Sequence, residues 1–181
     1  MCGTIKYYLI LLTLLNIFLK IVLRQILSYF GRKEFNVFRG QYVHSISDNG
    51  RVSIPAKFRE LLNVKYSSNT IIVSMFENCL LAYPIIEWEK LESKMLDLPS
   101  FKKETVDFER YLIGNASECQ LDSEGRINIS PVLRKNLNFK KSVVFVGILT
   151  RFEIWDEKLW EKNRESGFKK FQKSRDQIDE I

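Results

Sequence analysis

The chain has 181 residues, of which 45% are hydrophobic and 28% charged, so it is long enough for one domain or two very small ones and too apolar to be wholly disordered. Its three cysteines lie far apart, which argues against a disulfide framework and a Cys-x-x-Cys metal site, and its single histidine, His44, rules out catalysis by two imidazoles. The net charge is +6, but residues 1–36 supply +4 of it, so a site for a polyanion in the rest of the chain has to be a local patch.

An apolar stretch over residues 7–23 has three interpretations. Asn16 and Lys20 interrupt it, which makes it a marginal membrane-spanning helix, and no small-residue cleavage site follows it as in a signal peptide. We favour the third interpretation, in which residues 1–36 are an extension outside the fold that results from a start assigned too far upstream. Val37 begins a self-consistent domain, and valine can be encoded by GTG, a bacterial start codon. The alternative function is a membrane-anchored interaction protein tethered by residues 7–23.

The rest of the chain contains an internal repeat, which is the main organisational signal of the sequence. Residues 46–54 align with residues 121–129 at an offset of 75. After a gap of three residues the offset becomes 72, which places residues 71–88 on residues 143–160. Because the similarity extends over about 45 residues in each half, chance is a poor explanation, and the two halves share one plan.

Each half predicts a βαββ unit with its elements in the same order. A strand leads to a tight turn, Asp48–Gly50 or Ser123–Gly125, where glycine permits the positive φ of a hairpin. An alternating strand follows, and a proline then begins a short helix. The unit ends in a hairpin of two apolar strands. These hairpins are predicted at Thr70–Phe76 with Cys79–Tyr83 and at Val143–Val146 with Phe152–Trp155.

Helical segments and a charged tail accompany the two units. A unit of this size cannot close a core alone, so two tandem copies are expected to pack as a pseudo-symmetric pair. We therefore predict an α+β fold of two tandem βαββ repeats with peripheral helices, whose remaining strand edges are covered by further subunits. The predicted organisation is repeat 1 over residues 41–87, a helical linker over 88–115, repeat 2 over 116–159 and a charged tail over 160–181 that is a frayed helix or disordered.

The sequence argues against an enzyme, and with it against a small-molecule substrate, a cofactor or a catalytic metal. It contains no G-x-x-x-x-G-K-[ST], G-x-G-x-x-G or G-x-S-x-G motif. Carboxylate pairs such as Glu87/Glu89 and Asp107/Glu109 lie in charge-rich helical stretches and are typical of solvated faces. His44 lies in a predicted strand and has no identifiable catalytic partner.

Four motifs, in order along the chain, carry a resemblance to a known family. The motifs are Phe38-Arg39-Gly40, DNGRVSIP from Asp48 to Pro55, ASECQLD from Ala116 to Asp122 and ISPVLR from Ile129 to Arg134. Together they resemble the MraZ family of bacterial transcriptional regulators, built from two SpoVT-AbrB-type repeats, over about residues 37–162. Chains of that family typically begin with Met-Phe-Arg-Gly, and Val37 stands where that Met would be, which supports the interpretation of residues 1–36 as an extension.

The resemblance implies a swapped-hairpin barrel to which each repeat supplies half. It also implies a cytoplasmic, nucleoid-associated protein that forms a ring of about eight to twelve subunits. Members of the family bind short GTG-containing direct repeats in double-stranded DNA upstream of the division and cell-wall gene cluster, usually as repressors. A head-to-tail ring suits direct repeats, because adjacent subunits present the same patch in the same direction.

Three cations of the first repeat are the candidate DNA contacts. The family's arginine after the first turn falls on Arg51, and Arg39 and Lys57 match the other basic positions. From the residues alone, Arg51 follows a turn, so its guanidinium can leave the sheet and form a fork with guanine or a phosphate. It can equally be a structural arginine that pairs across the repeat. Lys57 begins a helix, whose N-terminal N–H groups also favour phosphate.

Three further arginines are secondary candidates for contact with DNA. Arg59 lies beside Phe58 and is expected to pack along its helix. Arg126 and Arg134 take the equivalent places in the second repeat, where neighbouring carboxylates weaken the positive field, so that copy is expected to be more structural.

One departure from the family pattern concerns the first turn. The family's aspartate before this turn falls on Ser47, whereas the second repeat keeps it as Asp122. Such an aspartate commonly fixes the turn by accepting hydrogen bonds from the backbone. Ser47 is expected to make a weaker version of the same bond.

Overall fold

The computed structural model describes residues 36–99 and 101–174, together with Lys20. The chain divides into two units, residues 1–35 and residues 36–181, and the second unit carries both repeats. The predicted apolar extension, with its membrane tether, lies outside the described residues apart from Lys20. In the described part of the chain, no helix combines the length and the apolar character that crossing a membrane requires.

Within the described residues, the strands and helices follow the order that the repeat predicts. Both hairpins lie at their predicted positions, although the second is longer, and the charged segment near the C-terminal end is helical as far as Ser174. The elements are β1 (Phe38–Ser45), β2 (Arg51–Ser53), α1 (Ala56–Tyr66), β3 (Thr70–Phe76), β4 (Cys79–Pro84), α2 (Ile85–Leu96), α3 (Lys103–Leu112), β5 (Ser117–Gln120), β6 (Arg126–Asn128), α4 (Pro131–Asn136), β7 (Ser142–Leu149), β8 (Arg151–Asp156) and α5 (Glu157–Ser174).

Six strands form one antiparallel sheet in the order β1-β7-β8-β4-β3-β5. The two hairpins lie at its centre, joined through β4 and β8, and the first strand of each half lies at an edge. β1 pairs with β7 along its whole length, from Phe38 opposite Leu149 to Ser45 opposite Ser142. In the same way, β5 pairs with β3. Each half therefore lends its hairpin to the edge strand of the other half, and the predicted α+β fold of two βαββ repeats is confirmed.

A second, two-stranded sheet joins the strands that follow the turns. β2 pairs with β6 and sets Val52 opposite Ile127, two residues that the repeat alignment makes equivalent. A pseudo-two-fold axis therefore passes between these two side chains, both of which are buried in the core. β2 thus begins beside the first turn and ends beside the second, where the Ile54 N–H donates to Gly125 O at 3.0 Å.

The buried apolar side chains form two clusters, one on each face of the large sheet. Ile71 belongs to the first cluster, whereas the next residue of β3, Ile72, belongs to the second, which lies under α2, α3 and α5. The first cluster centres on Phe38, whose ring packs edge-on against Phe58 and Phe152 at centroid distances of 5.2 Å. Because both faces of the sheet are covered, the interior of β3 is buried continuously rather than at alternate residues.

Candidate nucleic-acid interface

Turn 1 (residues 47–50) is closed by Ser47. The Gly50 N–H donates to Ser47 O at 2.8 Å, and the Arg51 N–H donates to Ser47 Oγ at 3.0 Å. This is the weaker version of the aspartate bond that the sequence predicts, and the prediction is confirmed. Gly50 has a φ of +87°, and a Cβ there would lie 2.5 Å from Ile129 O, so glycine is required.

Turn 2 (residues 122–125) is closed by Asp122, which accepts more hydrogen bonds than Ser47 does. Its Oδ1 accepts from the N–H groups of Glu124 and Arg126, and its Oδ2 accepts from Arg126 Nε, each at 2.9 Å. The Arg126 N–H, aided by the Arg126 guanidinium and the Glu124 N–H, holds the pKa of Asp122 below its usual value. The Glu124 carboxylate also pairs with Arg126. The Arg126 side chain is therefore engaged by its own turn.

Arg59 and Arg134 connect the two halves in a reciprocal way. Arg134 Nη1 donates to Asp48 O in turn 1 at 2.7 Å, and its Nε donates to Ile129 O at 3.1 Å. Arg59 Nη1 donates to Glu124 O in turn 2 at 3.4 Å. The expectation that Arg59 packs along its own helix is wrong, because the pairing of β2 with β6 makes α1 begin beside turn 2. Each of these arginines supports the turn of the opposite half.

Arg51 differs from the arginines that support the turns. It is exposed at the start of β2, opposite Asn128. Among the described residues no carboxylate forms an ion pair with Arg51, whereas Arg126, its equivalent in β6, is paired with Asp122 at 2.9 Å. The guanidinium of Arg51 is therefore accessible to a ligand.

The structure does not gather the three primary candidates at one point. Arg39 lies near the start of β1, seven residues before Ile46, and so about 23 Å along the strand from turn 1. Lys57 lies in the first turn of α1, which begins beside turn 2, whereas Arg51 follows turn 1. All three side chains are exposed, but they are spread over the surface rather than collected in one patch.

Sequence reasoning overlooked three lysines that the second half places around turn 1. Lys135 follows Arg134 in α4, and Lys140 and Lys141 precede β7, where the Ile46 N–H donates to Lys141 O at 3.0 Å. All three lysines are exposed. The exchange of hairpins would have predicted their position. When β1 pairs antiparallel with β7, the residues that precede β7 must lie beside those that follow β1.

Comparison with known proteins assigns the family. A family model described as "MraZ protein, putative antitoxin-like" matches the chain over residues 37–111 and again over residues 112–179. Each matched segment contains one of the two turns. The chain belongs to the MraZ family.

Curated relatives of this MraZ chain carry the same family name. The "Transcriptional regulator MraZ" of Syntrophobacter fumaroxidans is 45% identical over 124 residues, which cover 68% of this chain and 82% of the relative. Proteins of the same name from Thermoanaerobacter sp. strain X514 and Caldanaerobacter subterraneus subsp. tengcongensis are 38% identical over 142 residues and 39% identical over 140. These alignments cover 78% and 77% of this chain and 96% and 95% of the relatives. The resemblance to MraZ that the four motifs carry is confirmed.

Proposed function

We propose that this MraZ chain is a sequence-specific DNA-binding transcriptional regulator and that turn 1 presents Arg51 to the bases. The observation that carries the proposal is the contrast between Arg51 and Arg126, which occupy equivalent positions in the two repeats. Asp122 and Glu124 hold the Arg126 guanidinium, whereas Arg51 is exposed and has no carboxylate partner among the described residues. The relatives named as transcriptional regulators support the same role.

A guanidinium beside a rigid turn is suited to reading guanine. Two of its N–H groups can donate to O6 and N7 of one guanine in the major groove, and such a bidentate pair is worth about 1–3 kcal/mol of discrimination. The GTG-containing repeats that the resemblance implies offer guanines for this contact. Because Arg134 holds Asp48 O and Ser47 holds the N–H of Arg51, the turn is ordered before DNA arrives, which lowers the entropic cost of binding.

Arg39 and Lys57 are proposed to contact phosphates at a distance from Arg51. Lys57 lies in the first turn of α1, where backbone N–H groups and the helix dipole also favour an anion. Contacts to phosphate fix the orientation of the protein on the duplex and carry no sequence information directly. The secondary candidates Arg59, Arg126 and Arg134 are assigned to the support of the turns, since each donates within the protein.

Assembly into a ring is the second part of the proposal. In the first half α2 and α3 both cover the sheet, whereas in the second half α5 does so, and α3 has no counterpart within the described residues. The surface beside α5 exposes Val43 and has a hollow lined in part by Val43, Val144 and Trp160. The connection between α2 and α3 exposes apolar side chains, with Phe101 fully exposed. Seating this connection on the α5 surface of a neighbour gives a head-to-tail contact of the kind that closes into rings.

A ring explains how a few cations per subunit can bind a specific site. The few cations of a single subunit bind DNA weakly at physiological salt, and simultaneous binding by several subunits raises the affinity by about 10²–10⁴. We propose on this basis that a ring of about eight to twelve subunits binds direct repeats upstream of the division and cell-wall gene cluster and represses it. The protein would act in the cytoplasm at the nucleoid.

Selection of bound sequences from random duplex DNA with the full-length protein tests the proposal. We expect recovery of direct repeats at a fixed spacing. Arg51→Ala is expected to weaken binding to the recovered sequence by about 1–3 kcal/mol per subunit contact and to relax the base preference. Arg126→Ala is the matched control and is expected to keep the base preference. Failure to enrich any sequence, or equal effects of the two substitutions, would contradict the proposal.

A further inference from the structure

The surface around turn 1 is built from both halves of the chain. The Ile46 N–H donates to Lys141 O at 3.0 Å, which places the segment before β7 against the end of β1. The Lys140 N–H donates to Asp156 Oδ2 at 3.3 Å, and this bond fixes the same segment from the side of α5. Lys135 adjoins Arg134, whose guanidinium holds turn 1 itself. The backbones of the three lysines are therefore held in place around turn 1.

The three lysine side chains border two hollows beside turn 1. One hollow, of about 390 Å³, is lined by residues of turn 1 together with Arg134, Lys140 and Lys141, and its neighbour, of about 300 Å³, shares Arg134 and adds Lys135. Lys140 Nζ donates to Asn138 Oδ1 at 2.7 Å, which is a neutral partner. Within the described residues none of the three lysines forms an ion pair. Their ammonium groups are therefore available to an anion.

Turn 2 has no such surroundings, although its backbone is built in the same way. The Leu121 N–H donates to Asn69 O at 2.8 Å, the counterpart of the bond between Ile46 and Lys141. The repeat alignment places Glu60, Ser68 and Asn69 on the three lysines. Counted over equivalent positions, turn 1 has five cations and one carboxylate, a net charge of +4, while turn 2 has three of each and a net charge of zero. The two groups are Arg51, Arg134, Lys135, Lys140, Lys141 and Asp48 at turn 1, and Lys57, Arg59, Arg126, Glu60, Asp122 and Glu124 at turn 2.

We propose that Lys135, Lys140 and Lys141 bind the phosphate backbone of the duplex whose bases Arg51 reads, so that each DNA contact is completed by the second repeat. This proposal rests on the DNA-binding function proposed above. The chemistry of the surface favours phosphate because lysine offers a compact charge with three donors and because a duplex presents phosphates on both sides of the groove that a turn enters. The imbalance of charge between the two turns also directs the duplex to turn 1 rather than to turn 2.

The double variant Lys140→Gln/Lys141→Gln in the full-length protein tests the assignment. Glutamine keeps most of the length and polarity and removes the charge. We expect the plot of log affinity against log salt concentration to become shallower by about 1.8 for each subunit that contacts the duplex, since each neutralised phosphate contributes about 0.9. At 0.1 M salt the Kd is then expected to rise about 8-fold per lysine. The loss should be the same on the selected duplex and on a shuffled duplex, because phosphates carry no sequence.

The control variant Lys90→Gln/Lys94→Gln removes the same charge from the exposed side of α2. We expect it to leave the salt dependence unchanged, and Lys140→Arg/Lys141→Arg to retain it as well. Circular dichroism and light scattering establish that each variant keeps its fold and assembly. If Lys140→Gln/Lys141→Gln alters the slope no more than the control while Arg51→Ala still weakens binding, the lysine assignment is overturned and the proposed function stands. If the wild-type protein binds no duplex, both proposals fall together.

Discussion

Ser47 and Asp122 close equivalent turns with different chemistry. The hydroxyl of Ser47 accepts one backbone hydrogen bond and carries no charge, so it does not attract the Arg51 guanidinium back to the turn. The carboxylate of Asp122 accepts two backbone bonds and one from the Arg126 side chain, and it neutralises that arginine. One residue type at one position thus separates a turn that presents its arginine from a turn that retains it.

We expect Asp122→Asn to remove a pH-dependent share of the stability. The pKa of Asp122 is held below its usual value, chiefly by the Arg126 N–H. A carboxylate with a lowered pKa in the folded state stabilises the fold above about pH 4–5, and the contribution is lost as the pH falls through the folded-state pKa. Thermal unfolding should therefore show a lower Tm for the variant than for the wild-type protein at pH 7, and this difference in Tm should disappear towards about pH 2. A difference in Tm that persists in acid would contradict the assignment.

Single residues show where prediction from the sequence succeeds and where it ends. The role of Ser47 follows from the sequence, because its partner Arg51 is four residues away and the chemistry of a turn is local. The roles of Arg59 and Arg134 do not follow, because their partners lie 65 and 86 residues away in the other half. When a side chain bonds to the other repeat, its partner cannot be predicted from the local sequence.

Among the elements, β7 and α5 meet at Asp156, a buried carboxylate at the end of β8. Its Oδ1 accepts from the N–H groups of Lys158 and Leu159, at 3.1 and 3.3 Å, and so caps the first turn of α5. Its Oδ2 accepts from the Lys140 N–H and ties the segment before β7 to the same point. One side chain therefore fixes both the helix that covers the second hairpin and the approach to turn 1.

Asp156→Ala is expected to lower the free energy of unfolding by about 1–2 kcal/mol, since it removes the helix cap, and by somewhat more because the Lys140 N–H loses its partner. Urea denaturation monitored by circular dichroism measures the loss. Asp156→Asn, which keeps an acceptor oxygen, should retain most of the stability. Equal stability of Asp156→Ala and the wild-type protein would show that this carboxylate does not stabilise α5.

At the level of strands and helices, the local sequence pattern is sufficient to predict the two hairpins but not their exchange between the halves. Runs of apolar, β-forming residues separated by a short turn predict β3 with β4 and β7 with β8. The pattern of β1 fits either hairpin equally well, because pairing with its own half or with the other buries the same face. Ser45 pairs with Ser142, about 100 residues later. Which hairpin β1 joins is therefore decided by contacts between distant parts of the chain and not by the local sequence. The family resemblance, and not the periodicity, implied the exchanged arrangement.

In the whole molecule, pseudo-symmetry in the backbone coexists with asymmetry on the surface. The chain beyond residue 36 has 23 basic and 21 acidic side chains, so it is nearly neutral as a body. Its positive charge is nevertheless concentrated at turn 1, and its apolar exposure includes the connection between α2 and α3, where Phe101 lies. The described part of the chain thus has a cationic surface at turn 1 and a separate apolar surface at the connection between α2 and α3.

Phe101→Glu is expected to shift the mass measured by light scattering from that of a ring towards that of a single subunit. The side chain is fully exposed within the subunit, so its replacement leaves the subunit fold intact, whereas a carboxylate buried in an apolar contact between subunits is unfavourable. Val64→Glu changes an exposed apolar residue of α1 in the same way and is expected to leave the mass unchanged. An unchanged mass for Phe101→Glu would exclude this surface from the contact, and a wild-type monomer at micromolar concentration would exclude the ring.

The exchange of hairpins also sets the timing of events at the ribosome. β1 leaves the exit tunnel long before β7 has been synthesised, because the two strands are separated by about 100 residues. At about 5–20 residues per second, this interval lasts about 5–20 s. During this interval β1, which begins with Phe38, remains unpaired because β7 has not yet been translated. Completion of the first repeat therefore depends on synthesis of the second, and a chain released early cannot finish either one.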